Sequence, residues 1–291
     1  MPQGLDHIVH AVRDLDAAAD TYRQLGFTVG ARNRHPWGTH NHVVQFPGFF
    51  IEVLTVAEPE KLGDDGFSKM FGDFNRRFLQ KHEGFSMLLL ESHDAVADEY
   101  AFEVARIAAS PVMRFEREGK RPDGSPVKVA FSLAFARDPL APEIGLAVCQ
   151  QHYPENFWNP AFQNHSNGAS GVAGVVMVAE SPADHRAALS AFSGEGEARA
   201  TAEGIAIAIP RGDITIMTPV AFENNFGVAA PDMSDGARLA GLRLACGDLS
   251  KVVSALSAGR VESKNENGRI VVAPSRIFGA TLIFEPVSRP C

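Results

Sequence analysis

Two side chains stand out for the chemistry they could do. Glu52 lies inside the apolar run FFIEVLTV, where a carboxylate is costly unless it is paired or bound to a metal ion, so it serves as a ligand or as a proton carrier. His7 lies in a second apolar run, LDHIVHAV, as a metal ligand or as a buried imidazole bonded to a backbone carbonyl. An imidazole nitrogen and a carboxylate together suit a divalent ion such as Zn, Fe, Mn, Co or Ni. His10, three residues beyond His7, points to the other face of a strand and reads as structural. His40 and His42 in THNHVVQF share one face of a strand, which either lines a cavity or faces water. Arg34, His35 and Trp37 in NRHPWGTH set a cation beside aromatic rings, a pairing that binds an anionic or planar ligand or stands in a solvated loop. Cys149 in GLAVCQQ reads as a small buried residue.

His7 and Glu52 can meet only if their strands curl toward each other, and the chain carries a repeat that would do this. An apolar strand, LDHIVHAV, is followed by a helix that Asp14 caps and Gly26 ends. Three strand candidates follow, FTVGARN, HNHVVQF and FFIEVLTV, separated by Pro and Gly turns. The same order returns from GFSMLLLE, with a helix near 94–109 and a hairpin turn at KRPDGSP. It returns again from VAGVVMVAE and from LAGLRLAC. Two segments fall outside the pattern. Residues 66–82 predict an inserted helix carrying Phe67, Met70, Phe71, Phe74 and Phe78 along one side, either packed on a flank or acting as a lid or subunit contact. The Asn- and Pro-rich stretch 152–170 marks the domain boundary: residues 1–158 before it, a linker at 159–170 and residues 171–291 after it.

Composition narrows the partners. With 27 Lys and Arg against 35 Asp and Glu, the net charge is −8, and no basic cluster interleaves with aromatics, so nucleic acid is not an expected partner. No apolar run is long enough for a membrane span and no basic-then-apolar leader opens the chain. The three cysteines, Cys149, Cys246 and Cys291, lack paired spacing, which places the chain in a reducing cytoplasm. Phosphate-binding glycine loops, the G-x-S-x-G elbow and H-E-x-x-H are all missing, and nothing supports a covalent mechanism.

The fourfold pattern, and above all GLDHIVHAVRDLDAAADTYRQLGFTV, resembles the vicinal oxygen chelate superfamily, closest to its glyoxalase-like branch. The resemblance implies an α+β fold of four βαβββ repeats paired into two open, cup-shaped barrels. It implies one metal ligand on the first strand of a repeat and an acid on its last strand. His7 and Glu52 fall on those positions. In the second repeat the matching places hold Ser86 or Met87 and then Gln150, with His152 able to substitute. In the second barrel they hold Gly174, Gly241, Met217 and Glu285, which looks unable to bind metal. Nine of the ten histidines lie at or before position 165, which also points to the first barrel. The implied site is therefore Glu52 as the catalytic carboxylate, His7, Glu52, Gln150 and His152 as metal ligands, and His42, Arg34 and Trp37 against the substrate. The implied activity is a metal-dependent lyase or isomerase acting on a small carbonyl or hydroxycarbonyl compound through an enolate. The alternatives are a small-molecule sequestering protein and, third, a ring-cleaving dioxygenase. A homodimer is compatible with the family.

Overall fold

The computed structural model describes residues 3–120, 125–194 and 198–287. Most of the predicted hairpin turn and Cys291 lie outside the described residues.

The first repeat runs β1 (Leu5–Ala11), α1 (Leu15–Gln24), β2 (Asn33–Arg34), β3 (Thr39–Phe46) and β4 (Phe49–Val56). A π-helical turn (Ser68–Asp73) and α2 (Phe74–Lys81) lead into the second: β5 (Gly84–Glu91), α3 (Ala95–Val104), β6 (Met113–Lys120), β7 (Pro126–Ala136) and β8 (Gly145–Gln151). After the short α4 (Pro154–Phe157) come β9 (Ala169–Val178), α5 (Arg186–Ser193), β10 (Arg199–Ala200), β11 (Gly204–Ile209) and β12 (Gly212–Met217). Helix α6 (Pro219–Phe226) precedes the last repeat: β13 (Arg238–Cys246), α7 (Leu249–Ala258), β14 (Lys264–Glu266), β15 (Arg269–Val272) and β16 (Thr281–Pro286).

Three of the four repeat helices start on an aspartate two or three residues past the strand. The Asp14 side chain accepts from Ala17 N, Asp94 from Val96 and Ala97 N, and Asp248 from Ser250 N. Each such cap is worth about 1 kcal/mol. The third repeat lacks the aspartate and enters α5 through a turn of 3-10 helix at Pro182–His185. The stretch FTVGARN forms a strand only at its end, because Thr28 N–H donates to His165 Nδ1 and Thr28 Oγ1 to Asn164 O instead of to a neighbouring strand.

Strand pairing is the same in both halves. The order β2-β3-β4-β1-β5-β8-β7-β6 is matched by β10-β11-β12-β9-β13-β16-β15-β14, and the two sets meet through a single β5–β13 pair, Phe85 with Leu239. Within each repeat the first and last strands run parallel and the others antiparallel, so each set curls into an open cup that does not close. Where the halves touch, Gly279 has φ +79, and a Cβ there would lie 2.2 Å from Glu83 O, so only glycine permits this approach. Alternation along each strand sends one set of residues into the cup and the other toward the helices and the opposite half. In the first cup Val9, Leu54, Met87, Leu89, Leu133 and Phe135 face inward. In the second, Phe222 and Phe226 of α6 pack with Val176, Val271 and Ile283. No helix among the described residues is long and apolar enough to cross a membrane.

A candidate active site in the first cup

The register fixes which residues are equivalent in the four repeats. Across β1 and β4, Val9 lies opposite Glu52, so the acid sits beside the residue two places after His7. The same construction on β5 and β8 pairs Glu91 with Cys149, which makes Leu89 and Cys149 the counterparts of His7 and Glu52. On β13 and β16 it pairs Ala245 with Glu285, giving Arg243 and Glu285. On β9 and β12 it pairs Val176 with Thr215, giving Gly174 and Thr215. The predicted equivalents Met87, Gly241 and Met217 are therefore displaced by two residues from the positions the register gives, and Ser86 by three.

His7 and Glu52 do meet. His7 Nε2 lies 4.0 Å from Glu52 Oε2, and both side chains are buried at the floor of a cavity. Among the described residues neither of these two atoms has a hydrogen-bond partner, whereas their far atoms are clamped. Asp6 Oδ1 lies 2.5 Å from His7 Nδ1 and holds it as the N–H donor, while Gln151 Nε2 donates to Asp6 Oδ2 at 2.9 Å. Asn41 Nδ2 donates to Glu52 Oε1 at 2.5 Å. The Phe50 ring stacks on the imidazole, with centroids 4.2 Å apart. Burial pushes the Glu52 carboxyl above the usual carboxylate range, partly offset by His7 and by the Asn41 hydrogen bond.

These donors suit a divalent cation. His7 has the carboxylate–imidazole arrangement that orients metal-binding histidines, with Nε2 free toward the cavity. Two donors about 2.0–2.1 Å from a tetrahedral ion stand about 3.3 Å apart, close to the separation seen here. Cys149 lies nearby and lines the same cavity: one possible donor atom from each of Asp6, His7 and Cys149 lies within 4.8 Å of the others. Burial raises the Cys149 thiol, with further contributions from Asp6 and Glu52, so it would ligate only as a thiolate that the ion itself stabilises. Imidazole, carboxylate and thiolate favour Zn, Co, Ni or Fe over harder ions. The fourth equivalent position, Leu89, cannot ligate.

Other predicted residues lie elsewhere. Gln150 is on the outer face of β8, where its amide accepts from Ala95 N–H and donates to His93 O; the cup-facing neighbour is Cys149. His152 lies beyond the end of β8 and shares a hydrogen bond with Ser132 Oγ. His42 faces away from the cup toward α1, with Nδ1 on Gly30 O, and His40 binds Glu58 and Arg32. Their neighbours Asn41 and Val43 line the cavity instead, since Val43 is the residue opposite Glu52. Arg34 is exposed, whereas Trp37 is buried in the cavity wall, with an indole Nε1 that finds no partner.

The cavity and its open mouth together span about 690 Å³ of empty space, solvent included. Its wall is a stack of three rings: His35 on Trp37 at 4.7 Å and Trp37 on Phe67 at 4.8 Å, with Phe115 edge-on to the stack. Phe67 and Phe71 come from the inserted segment, which thus builds the site rather than only covering a flank. Arg117 on β6 completes the rim. In the second cup, Arg243 occupies the place of His7 and bridges Asp213 at 2.9 Å and Glu285 at 3.1 Å, putting a guanidinium where the first cup has its free donors.

Comparison with known proteins agrees with this architecture. A hypothetical protein from Staphylococcus aureus has a similar structure, with a TM-score of 0.68 at 14% identity over 98% of this chain and 100% of that one. A mutant 4-hydroxymandelate synthase from Streptomyces coelicolor gives 0.61 at 13% identity, over 100% of this chain and 94% of that one. A fusion of a xylose isomerase-like TIM barrel with 4-hydroxyphenylpyruvate dioxygenase gives 0.56 at 11% identity, and this chain spans 50% of its length. At such identities the likeness is one of fold. No curated protein matches the sequence. A family model described as a glyoxalase-like domain matches residues 5–192, which takes in the whole first cup. The chain belongs to the glyoxalase-like domain family.

Proposed function

We propose that the first cup is a metal-dependent lyase or isomerase site that moves a proton on a small carbonyl compound. The observation that carries this reading is the His7 Nε2 and Glu52 Oε2 pair, clamped from behind by Asp6 and Asn41 and open to an aromatic cavity. His7, Glu52 and Cys149 would hold a divalent ion, which when bound polarises the substrate oxygen and stabilises an enolate as a Lewis acid. Glu52 moves the proton: it is the carboxylate that the strand pairing sets beside His7, facing the cavity that would hold the substrate. Asn41 fixes Oε1, so Oε2 is the oxygen that would take the proton and return it, in the state where the substrate oxygen rather than Oε2 faces the ion. Trp37, Phe67, Phe115 and Phe157 keep bulk water from the reacting carbon.

The test measures metal content after purification without chelators, and α-proton exchange of hydroxycarbonyl compounds in deuterated water. His7→Ala should abolish metal retention and exchange together. Glu52→Gln should abolish exchange even at saturating metal. A second reading, a sequestering protein of the same fold, is favoured by Leu89, which withholds the second imidazole. Ligand binding with no exchange in the metal-loaded native protein would select it.

A further inference from the structure

We propose that the ligand of the first cup is a planar acid, with its anionic group on Arg117 and its flat body against the aromatic wall. The inference rests on the reading of His7 and Glu52 as the reacting end of that cavity. Arg117 is half-buried and lines the cavity on the same strand face as Phe115. Among the described residues no carboxylate lies within ion-pair distance of it, and it makes one hydrogen bond, from Nη2 to Asn33 Oδ1 at 3.3 Å. Its strand neighbour Arg114, on the outer face, is by contrast paired with Glu116. A guanidinium has five N–H donors, and a partly desolvated one without a counter-ion is an unfilled anion socket.

Two further features give the socket a direction. Asn33 Nδ2 donates to Asn41 Oδ1 at 3.0 Å, and Asn41 Nδ2 donates to Glu52 Oε1 at 2.5 Å. The run Arg117–Asn33–Asn41–Glu52 is therefore polarised from a cation at the rim to a carboxylate at the floor, and both amides are oriented by their ends. A ligand whose anion sits on Arg117 has its far end turned toward Glu52 and His7. The wall between is flat: the His35, Trp37 and Phe67 rings lie within 10° of parallel, neighbour to neighbour. Burial, with Arg117 and His40 nearby, lowers His35 to about 3, so this ring stays neutral and adds a stacking face rather than a second cation. A flat slot beside a lone guanidinium selects aromatic or conjugated carboxylates over aliphatic or neutral compounds.

The experiment compares cinnamate and 2-naphthoate with their neutral amides, read by quenching of Trp37 fluorescence in a Trp158→Phe background, which leaves Trp37 as the only indole. The acids should bind about tenfold or more tightly than the amides, the range of a charge-assisted hydrogen bond. Arg117→Gln should bring that ratio close to one while leaving amide affinity unchanged, and Arg117→Lys should retain part of the preference. Should Arg117→Gln fail to fold, as judged by its thermal transition, the Lys variant carries the comparison, with a weakened preference expected. An undiminished acid preference in the variant, or no preference for acids in the native protein, including no binding of either acid, overturns the proposal. His7→Ala separates the two readings: it should lose metal and proton exchange yet keep the acid preference.

Discussion

Protonation of His10 should set the acid limit of the fold. His10 is fully buried where the two halves meet; its Nε2 donates to Phe278 O at 3.1 Å and its Nδ1 accepts from the Tyr22 hydroxyl at 2.9 Å. The carbonyl can only accept, so the neutral tautomer is fixed, and a second proton must enter beside Tyr22 and Phe85 with no carboxylate to meet it. Burial, opposed only by the Phe278 carbonyl, lowers the group from 6.5 to about 4. The unfolded chain thus takes up this proton near pH 6.5, while the native chain does not until about pH 4. The stabilisation is complete above the unfolded value and is lost as the pH falls, and a drop of 2.5 units at 1.36 kcal/mol each comes to about 3 kcal/mol by pH 4. His10→Gln can still donate to Phe278 O but cannot titrate. Urea unfolding of both proteins at about pH 7 and about pH 5 isolates the effect, because His165 and His35 titrate in each and cancel. The gap between native and variant should narrow by about 2 kcal/mol at the lower pH. A gap that stays constant would refute the argument that the halves are joined through a neutral imidazole.

How far the site could be read in the sequence depended on what each strand's pattern reveals. Glu52 is a lone acid in FFIEVLTV, so its burial and its importance follow directly from the alternation. The repeats were legible because Asp14, Asp94 and Asp248 mark three helix starts at matching places. GLAVCQQ ends in two glutamines, one on each face, and the pattern cannot say which parity points inward. Only the pairing of Glu91 with Cys149 does so, and a shift of one residue exchanges the faces. THNHVVQF is polar on both faces for the same reason, and its histidines drew notice that belonged to Asn41. Arg117 stands in MRFEREGK among charges of both signs, where nothing marks it as the one turned inward. Asp6 adjoins His7 and would be assigned to the opposite face by simple alternation, but the β1–β5 register shifts between Leu5 and His7.

Three further outcomes follow from the geometry. Asp6→Asn removes the charged acceptor at His7 Nδ1 and should weaken metal affinity about 10- to 100-fold by competition titration, with little change in the thermal transition of the metal-free protein. Arg243→Ala leaves Asp213 and Glu285 facing each other without their shared cation, and among the described residues Arg269, 3.4 Å from Glu285, is what remains to compensate. It should cost about 3 kcal/mol in urea unfolding without altering ligand binding in the first cup. The last outcome tests the register itself. Leu89 is fully buried, lies opposite His7 across β1 and β5, and is its counterpart in the second repeat, so Leu89→His should place a second imidazole beside His7 Nε2 and Glu52 Oε2. Without metal the new side chain is a buried polar group with no partner and should lower stability by about 1–3 kcal/mol. Added Zn should restore that loss and bind more tightly than in the native protein, because a fourth donor joins the set. Met87→His is the control: it shares the strand face but lies opposite Val9, two residues from the ligand level. If Zn rescues the Met87 variant and not the Leu89 variant, the equivalence drawn from the strand pairing is wrong, and with it the assignment of Cys149 to the site.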